Sequence, residues 1–269
     1  MNFITEILAF SFMRRALLAG NLIGIIAPLV GVFLNLRRLS LLGHTLSHVA
    51  LAGVALGIYL GVYPIYTAII ISIIAALAVE KLRRDYQNYA ELALAVVLAT
   101  GLGLAVILIS AAEQTAGIHS YLFGSISLVA SRDIYTIIPL FFLILAVIAR
   151  YYYGFFYLAF DEEEARLAGV PVGFLNTVFM IIVSITVALS IRIVGALLIS
   201  SLITIPVATG MLIGSSFQRT VIISIAAGII SVNLGLIFSF QLDIAPGGTI
   251  ILVSVMLLAA VLSWQRLQE

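Results

Sequence analysis

Cysteine is absent from the 269 residues, which removes disulfide frameworks, thiolate metal sites and catalytic thiols from consideration. Lysine occurs once, as Lys81, and Val79-Glu80 precede it with no glycine-rich loop. The phosphate-cradling pattern GxxxxGK[ST] is therefore missing, and any ATP used by this protein is bound by another subunit. Charge of either sign is scarce: 9% of residues are charged and 63% hydrophobic, where soluble domains hold about 25% and about 45 to 50%. Thirteen basic and twelve acidic side chains are too few to turn a soluble surface to water. A net charge of +1 points to no nucleic-acid partner. The N-terminus has no basic run before its first apolar stretch and no small-residue cleavage site, so no removable signal peptide is expected.

Long apolar runs are what the chain does have. A membrane-crossing helix takes about 20 residues, and runs bounded by charge or turn residues place spans at 17–34, 44–62, 64–79, 91–110, 134–150, 172–191, 194–213, 220–240 and 248–265. The expectation is one polytopic, all-α membrane domain over residues 1–269, with eight or nine transmembrane helices and membrane lipid around it. Pro64 suits a helix start. Pro206, inside a span, frees a carbonyl and makes Ser200 to Ala208 a candidate broken helix. If the loop with Lys81, Arg83 and Arg84 is cytoplasmic, alternation puts Arg37, Arg38, Arg150, Arg166, Arg219 and Arg266 on its side. Arg14, Arg15, Arg132 and Arg192 then lie outside, with an external N-terminus and a cytoplasmic C-terminus.

Three segments carry chemistry. In Arg37-Arg38-Leu39-Ser40-Leu41-Leu42-Gly43-His44-Thr45-Leu46-Ser47-His48, His44 and His48 are four apart and share one helix face, with Ser47 beside it. Ionisable side chains in a span are costly unless they face a cavity or a partner, so the pair reads as a transition-metal site or a proton relay, or as two helix-end histidines bonded to carbonyls and water. Two ligands are too few for a closed zinc site. Residues 161–169, Asp161-Glu162-Glu163-Glu164-Ala165-Arg166-Leu167-Ala168-Gly169, read as a short cytoplasmic surface helix whose acidic start complements its dipole and which Gly169 and Pro171 terminate. The loop Gln241 to Thr249 holds Asp243 and the turn Pro246-Gly247-Gly248. With Glu113 and Asp133 it gives the outer face three carboxylates, read either as raising local cation concentration or, as is commoner for scattered carboxylates, as simply solvated. His119 is a further loop imidazole.

These residues, taken in order, resemble the membrane permease subunits of ATP-binding-cassette importers for zinc and manganese. The likeness rests on Arg38-x-Ser40-x-x-Gly43-x-x-x-Ser47-His48-x-x-Leu51-x-Gly53, then Tyr121-Leu122-Phe123-Gly124, then Phe160-Asp161 to Ala165 with Gly169-Val170. Gly195-Ala196-Leu197-Leu198, Ile205-Pro206 and Ala245-Pro246-Gly247-Gly248-Thr249-Ile250 complete it. In that family the position of His44 is commonly aspartate, and it lies with the counterpart of His48 on the translocation path as a metal ligand. Here imidazole stands in its place.

The resemblance implies an importer-type permease in the cell membrane that works as a homodimer with two ATP-binding subunits and an extracellular metal-binding protein. It has no enzymatic activity of its own. Its ligands would be His44 and His48, supported by Ser47, Asp243 or His119, and Asp161, Glu162, Glu163, Glu164, Arg166 and Gly169 would couple to the ATPase. The ion is cargo, and no permanently bound cofactor is expected. Two imidazoles favour zinc, with manganese or iron as the alternative. A proton-coupled secondary transporter is a further alternative. An intramembrane zinc protease is not supported, because no glutamate lies between the histidines.

Overall fold

The computed structural model describes residues 9–86, 90–111 and 117–267, and all regular structure there is helical. Four long helices come first: α1 (Ser11–Leu36), α2 (Ser40–Tyr59), α3 (Pro64–Asp85) and α4 (Ala90–Ala111). A short α5 (Ile118–Phe123) precedes α6 (Ser131–Arg150), and two short helices, α7 (Tyr152–Phe160) and α8 (Glu162–Leu167), lead into α9 (Val172–Val194). The chain ends with α10 (Ile199–Ile213), α11 (Phe217–Leu242) and α12 (Pro246–Arg266). Among the described residues, eight helices are long and apolar enough to cross a bilayer. The chain is an all-α, multi-pass membrane protein.

The span expected over 194–213 takes a different form. Helix α9 runs to Val194, Gly195 turns the chain at φ 90°, and α10 starts only at Ile199. At about 1.5 Å per residue, its 15 residues reach about 22 Å, less than the roughly 30 Å of hydrocarbon. The break therefore lies at Gly195 to Leu198 and not within Ser200 to Ala208, since α10 is continuous through Pro206. Proline removes one hydrogen bond, whereas at Gly195 any Cβ would fall on the Leu122 carbonyl and the Gly124 amide. Close crossing with α5 sets the turn there.

Helix α9 is the axis of the fold: 78% of its most apolar window is buried, and it packs on α1, α2 and α3. Phe33, Phe155 and Phe179 meet at its start, with ring centroids 5.8 to 6.4 Å apart. Helices α1 and α11 approach through glycine, because a Cβ at Gly24 would stand 3.3 Å from the Gly228 carbonyl. Close by, the Asn21 and Asn233 amides exchange hydrogen bonds of 3.2 and 2.7 Å. Small residues and paired amides hold helices together where burial from water gives no driving force. Helix α4 lies outermost, packed on α2 and α3.

Side-chain pairs identify the two ends of the bundle. At one, Arg37 and Arg83 reach Glu162, and Gln265 donates to the Leu212 carbonyl at 2.7 Å. At the other, Arg15 donates to Ser131, and Arg192 pairs with Asp133. Helix directions collect nine basic residues at the Arg37 end and Arg14, Arg15, Arg132 and Arg192 at the Asp133 end. The excess at the Arg37 end is the charge bias that the positive-inside rule associates with a cytoplasmic end.

Candidate metal pathway and coupling surface

The histidine helix starts from a tight turn. Leu39 N–H donates to the Leu34 carbonyl at 2.8 Å to close α1, Arg38 takes φ 55°, and α2 begins at Ser40. Most of α2 is then buried. Gly53 and Gly57 admit α3 so closely that a Cβ would meet Ala68 and Pro64. His44 lies on a face left open: it is exposed, His48 is half-buried, and Leu41 is 58% exposed. The two rings stand 4.7 Å apart, centroid to centroid, at 83°. Nδ1 of His48 is sealed from solvent and has no hydrogen-bond partner among the described residues. A buried imidazole nitrogen without a partner is uncommon.

The other residues named as support are placed elsewhere. Ser47 is 1% exposed, and its hydroxyl donates to the His44 carbonyl at 2.7 Å. His44 and His48 lie about 6 and 12 Å along α2 from Ser40, in the cytoplasmic half of the span. Asp243, at the C-cap of α11, and His119, in α5, belong to the opposite end, so the fold does not gather them with the histidine pair. Among the described residues no group of three or more histidine, aspartate or glutamate side chains could hold a metal.

Asp133 corrects the view of it as a solvated outer carboxylate. It is fully buried, where it accepts from Tyr63 Oη and, at 2.7 Å, from Ala130 N–H. Burial and then the Asp133 carboxylate push the Tyr63 phenol well above its ordinary value. Exposed Asp243 lines an outer cavity of about 410 Å³ with Ser125, Ser127 and Ser239. Glu113 lies outside the described residues.

Helix α8 forms as its sequence directs. Oδ1 of Asp161 accepts from the amides of Glu163 and Glu164 at 2.8 and 2.9 Å, a side-chain N-cap. Gly169, at φ 80°, closes the other end, with Gly169 N–H on Arg166 and Val170 N–H on Ala165. Glu163, Glu164 and Arg166 face outward, and Leu167 stands 89% exposed. Glu162 turns in toward Arg37, whose side chain is 5% exposed. Burial first, then Arg83, pushes the Arg37 guanidinium down to about 10, still charged at neutral pH. Arg37, Leu167 and Asn176 escaped the sequence reading. An arginine after an apolar run was the one available signal.

The profile of the ABC 3 transport family matches residues 9–265. The chain belongs to the ABC 3 transport family. A probable metal transport system membrane protein of Treponema pallidum is 40% identical over 256 residues, covering 95% of this chain and 96% of that one. The manganese import system permease protein ScaB of Streptococcus gordonii is 30% identical over 256 residues, covering 95% and 92%. PsaBC from Streptococcus pneumoniae, solved in complex with Fab, superposes with a TM-score of 0.87 at 28% identity over 96% of this chain and 94% of that one. The expectation of a metal ABC permease stands. In this ABC 3 permease the imidazole pair is on the face of α2 left open by the chain's own packing, and the acidic helix α8 lies at the end of the bundle that is rich in basic residues.

Proposed function

We propose that this ABC 3 permease imports a divalent transition metal, with manganese favoured over zinc, along a path that includes His48 and His44. The reading is carried by the histidine pair: two imidazoles at 4.7 Å, one exposed and one with a sealed, unpartnered nitrogen. Imidazole softness by itself favours zinc. Each chain contributes two nitrogens and no adjacent carboxylate or third histidine among the described residues, so water, hydroxyl and carbonyl oxygens would complete the shell. An open shell with few protein ligands releases its ion readily, as transport requires. Related permeases in Listeria monocytogenes and Streptococcus gordonii are named for manganese. Two copies of this chain would face each other across the open side of α2, two ATPase subunits would dock on α8, and an extracellular metal-binding protein would deliver the ion.

The test is uptake by vesicles containing the permease with its ATPase subunit and delivery protein, offered manganese and zinc in competition. ATP-dependent entry with manganese preferred is the expected result. Preference for zinc would restore the assignment drawn from the imidazoles, and entry independent of ATP would favour the proton-coupled reading.

A further inference from the structure

The turn that starts the histidine helix is tied directly to the helix that faces the ATPase. Arg37 Nη2 donates to Asn176 Oδ1 at 2.6 Å and lies 3.7 Å from Glu162 Oε2. Its guanidinium carbon sits 5.1 Å from the centre of the Phe179 ring. Glu162 is held from several sides: Arg83 Nη2, at the end of α3, lies 3.9 Å away, and Asn176 Nδ2, in α9, donates at 3.4 Å. Arg83 in turn reaches Glu80 at 3.5 Å. Among the described residues Nη1 of Arg37 has no hydrogen-bond partner, and Asn176 and Glu162, with Glu80 as a further nearby carboxylate, are the groups that hold its buried charge.

Geometry makes the tie stiff. Arg37 is three residues before Ser40 and seven before His44, and the left-handed Arg38 between them leaves little slack. A displacement of α8 that keeps the Glu162–Arg37 pair intact carries the turn before α2 with it. Glu163, Glu164 and Leu167 point outward on the same helix. One face of α8 is open to a partner, and the other is anchored through Glu162 to Arg37, in the turn between α1 and α2.

We infer that Glu162 is the positioning residue through which α8 moves α2, with Arg37 as its receiver and Asn176 and Arg83 as the clamp that keeps the pair aligned. This rests on reading α8 as the ATPase docking element and α2 as the ion path. Glu162→Gln and Arg37→Met leave the ATPase subunit bound and ATP hydrolysis running but uncouple hydrolysis from movement of α2. Arg37→Lys, which keeps the charge, retains most of the coupling.

The experiment uses the permease with its ATPase subunit and delivery protein in lipid vesicles, with manganese as the probe. Ions moved per ATP hydrolysed should fall by about five-fold or more in Glu162→Gln and Arg37→Met, the lower range of allosteric couplings. In Arg37→Lys the ratio should stay near that of the unmodified protein. A nitroxide at exposed Leu41 gives a readout independent of cargo. Its spectrum should change when a non-hydrolysable ATP analogue is added, and that change should be lost in Glu162→Gln. An unchanged transport ratio in both variants, or losses of transport and hydrolysis in equal proportion, would overturn the inference. So would a label that responds to nucleotide equally with and without Glu162. If Glu162→Gln fails to assemble, Glu162→Asp serves instead, and a full label response in that shortened variant also counts against the inference. A label that responds normally in a protein that moves no metal would preserve this inference and remove the proposed cargo.

Discussion

Arg192 Nε stands 3.3 Å from Asp133 Oδ2, joining the end of α9 to the start of α6 at the outer face of the bundle. Tyr63 donates to the other carboxylate oxygen, and Arg192 Nη2 donates to the Leu128 carbonyl at 2.5 Å while the guanidinium lies over Tyr121. The pair is nearly sealed, with side-chain exposures of 11% and 0%. It closes the end of the fold opposite the cytoplasmic Arg37 cluster.

Removing one member of such a pair strands the other. Arg192→Leu should cost about 3 kcal/mol or more and lower the melting temperature in detergent by several degrees. The double variant Asp133→Asn with Arg192→Gln should recover part of the loss. Thermal unfolding followed by size exclusion measures both. An unchanged midpoint for Arg192→Leu would show that the pair contributes nothing to stability.

His48→Ala should reduce metal uptake to background while yield, assembly and melting temperature stay near those of the unmodified protein, because a half-buried imidazole with an unpartnered nitrogen holds little structure together. Uptake of radioactive manganese and zinc in a strain lacking its other importers for both metals is the assay. Normal uptake would remove His48 from the path.

His44→Asp places an oxygen donor at the position where the resemblance to metal permeases implies one. Manganese should gain on zinc in competition, since oxygen ligands suit it better than nitrogen. His44 is exposed, so the change should leave folding intact. An unchanged metal ratio would mean that position 44 does not set the preference.

Asp161→Ala and Leu167→Ser should separate two roles within α8. The first removes the cap that accepts two amide hydrogen bonds and should weaken the helix by about 1 kcal/mol, with Asp161→Asn close to neutral. The second removes the protruding apolar side chain and should reduce copurification with the ATPase subunit while the permease keeps its melting temperature. Full retention of the ATPase by Leu167→Ser would show that docking does not use that side chain.

Patterns that repeat along the chain were legible without coordinates. Apolar run length determined that the protein crosses the membrane, because the backbone must satisfy its own hydrogen bonds in lipid and only a helix of about 20 residues does so in one segment. The i, i+4 spacing of His44 and His48 determined that they share a face, and the glutamate run with Gly169 and Pro171 marked the two ends of α8, while the Asp161 cap appeared only in the structure. The distribution of arginines separated the two ends of the bundle. All of these depend on neighbours within about one helical turn, on segment composition or on overall charge.

Contacts between residues distant in sequence were decided only by the tertiary structure. Asp133 looked like a solvated carboxylate because nothing within ten residues of it announces Tyr63 or Arg192, which lie 70 and 59 positions away. Pro206 looked like the helix breaker, yet the break falls at Gly195, where α5 crosses too closely for a side chain. Arg37 read as one more cytoplasmic charge until α9 brought Asn176 within 2.6 Å of it. His119 and Asp243 matched the histidine pair in ligand chemistry but not in position, since helix direction carries them to the opposite end. Local sequence sets which way a side chain points from its own helix. What it meets there depends on how whole helices pack, and that is fixed by burial and close approach summed over the entire chain.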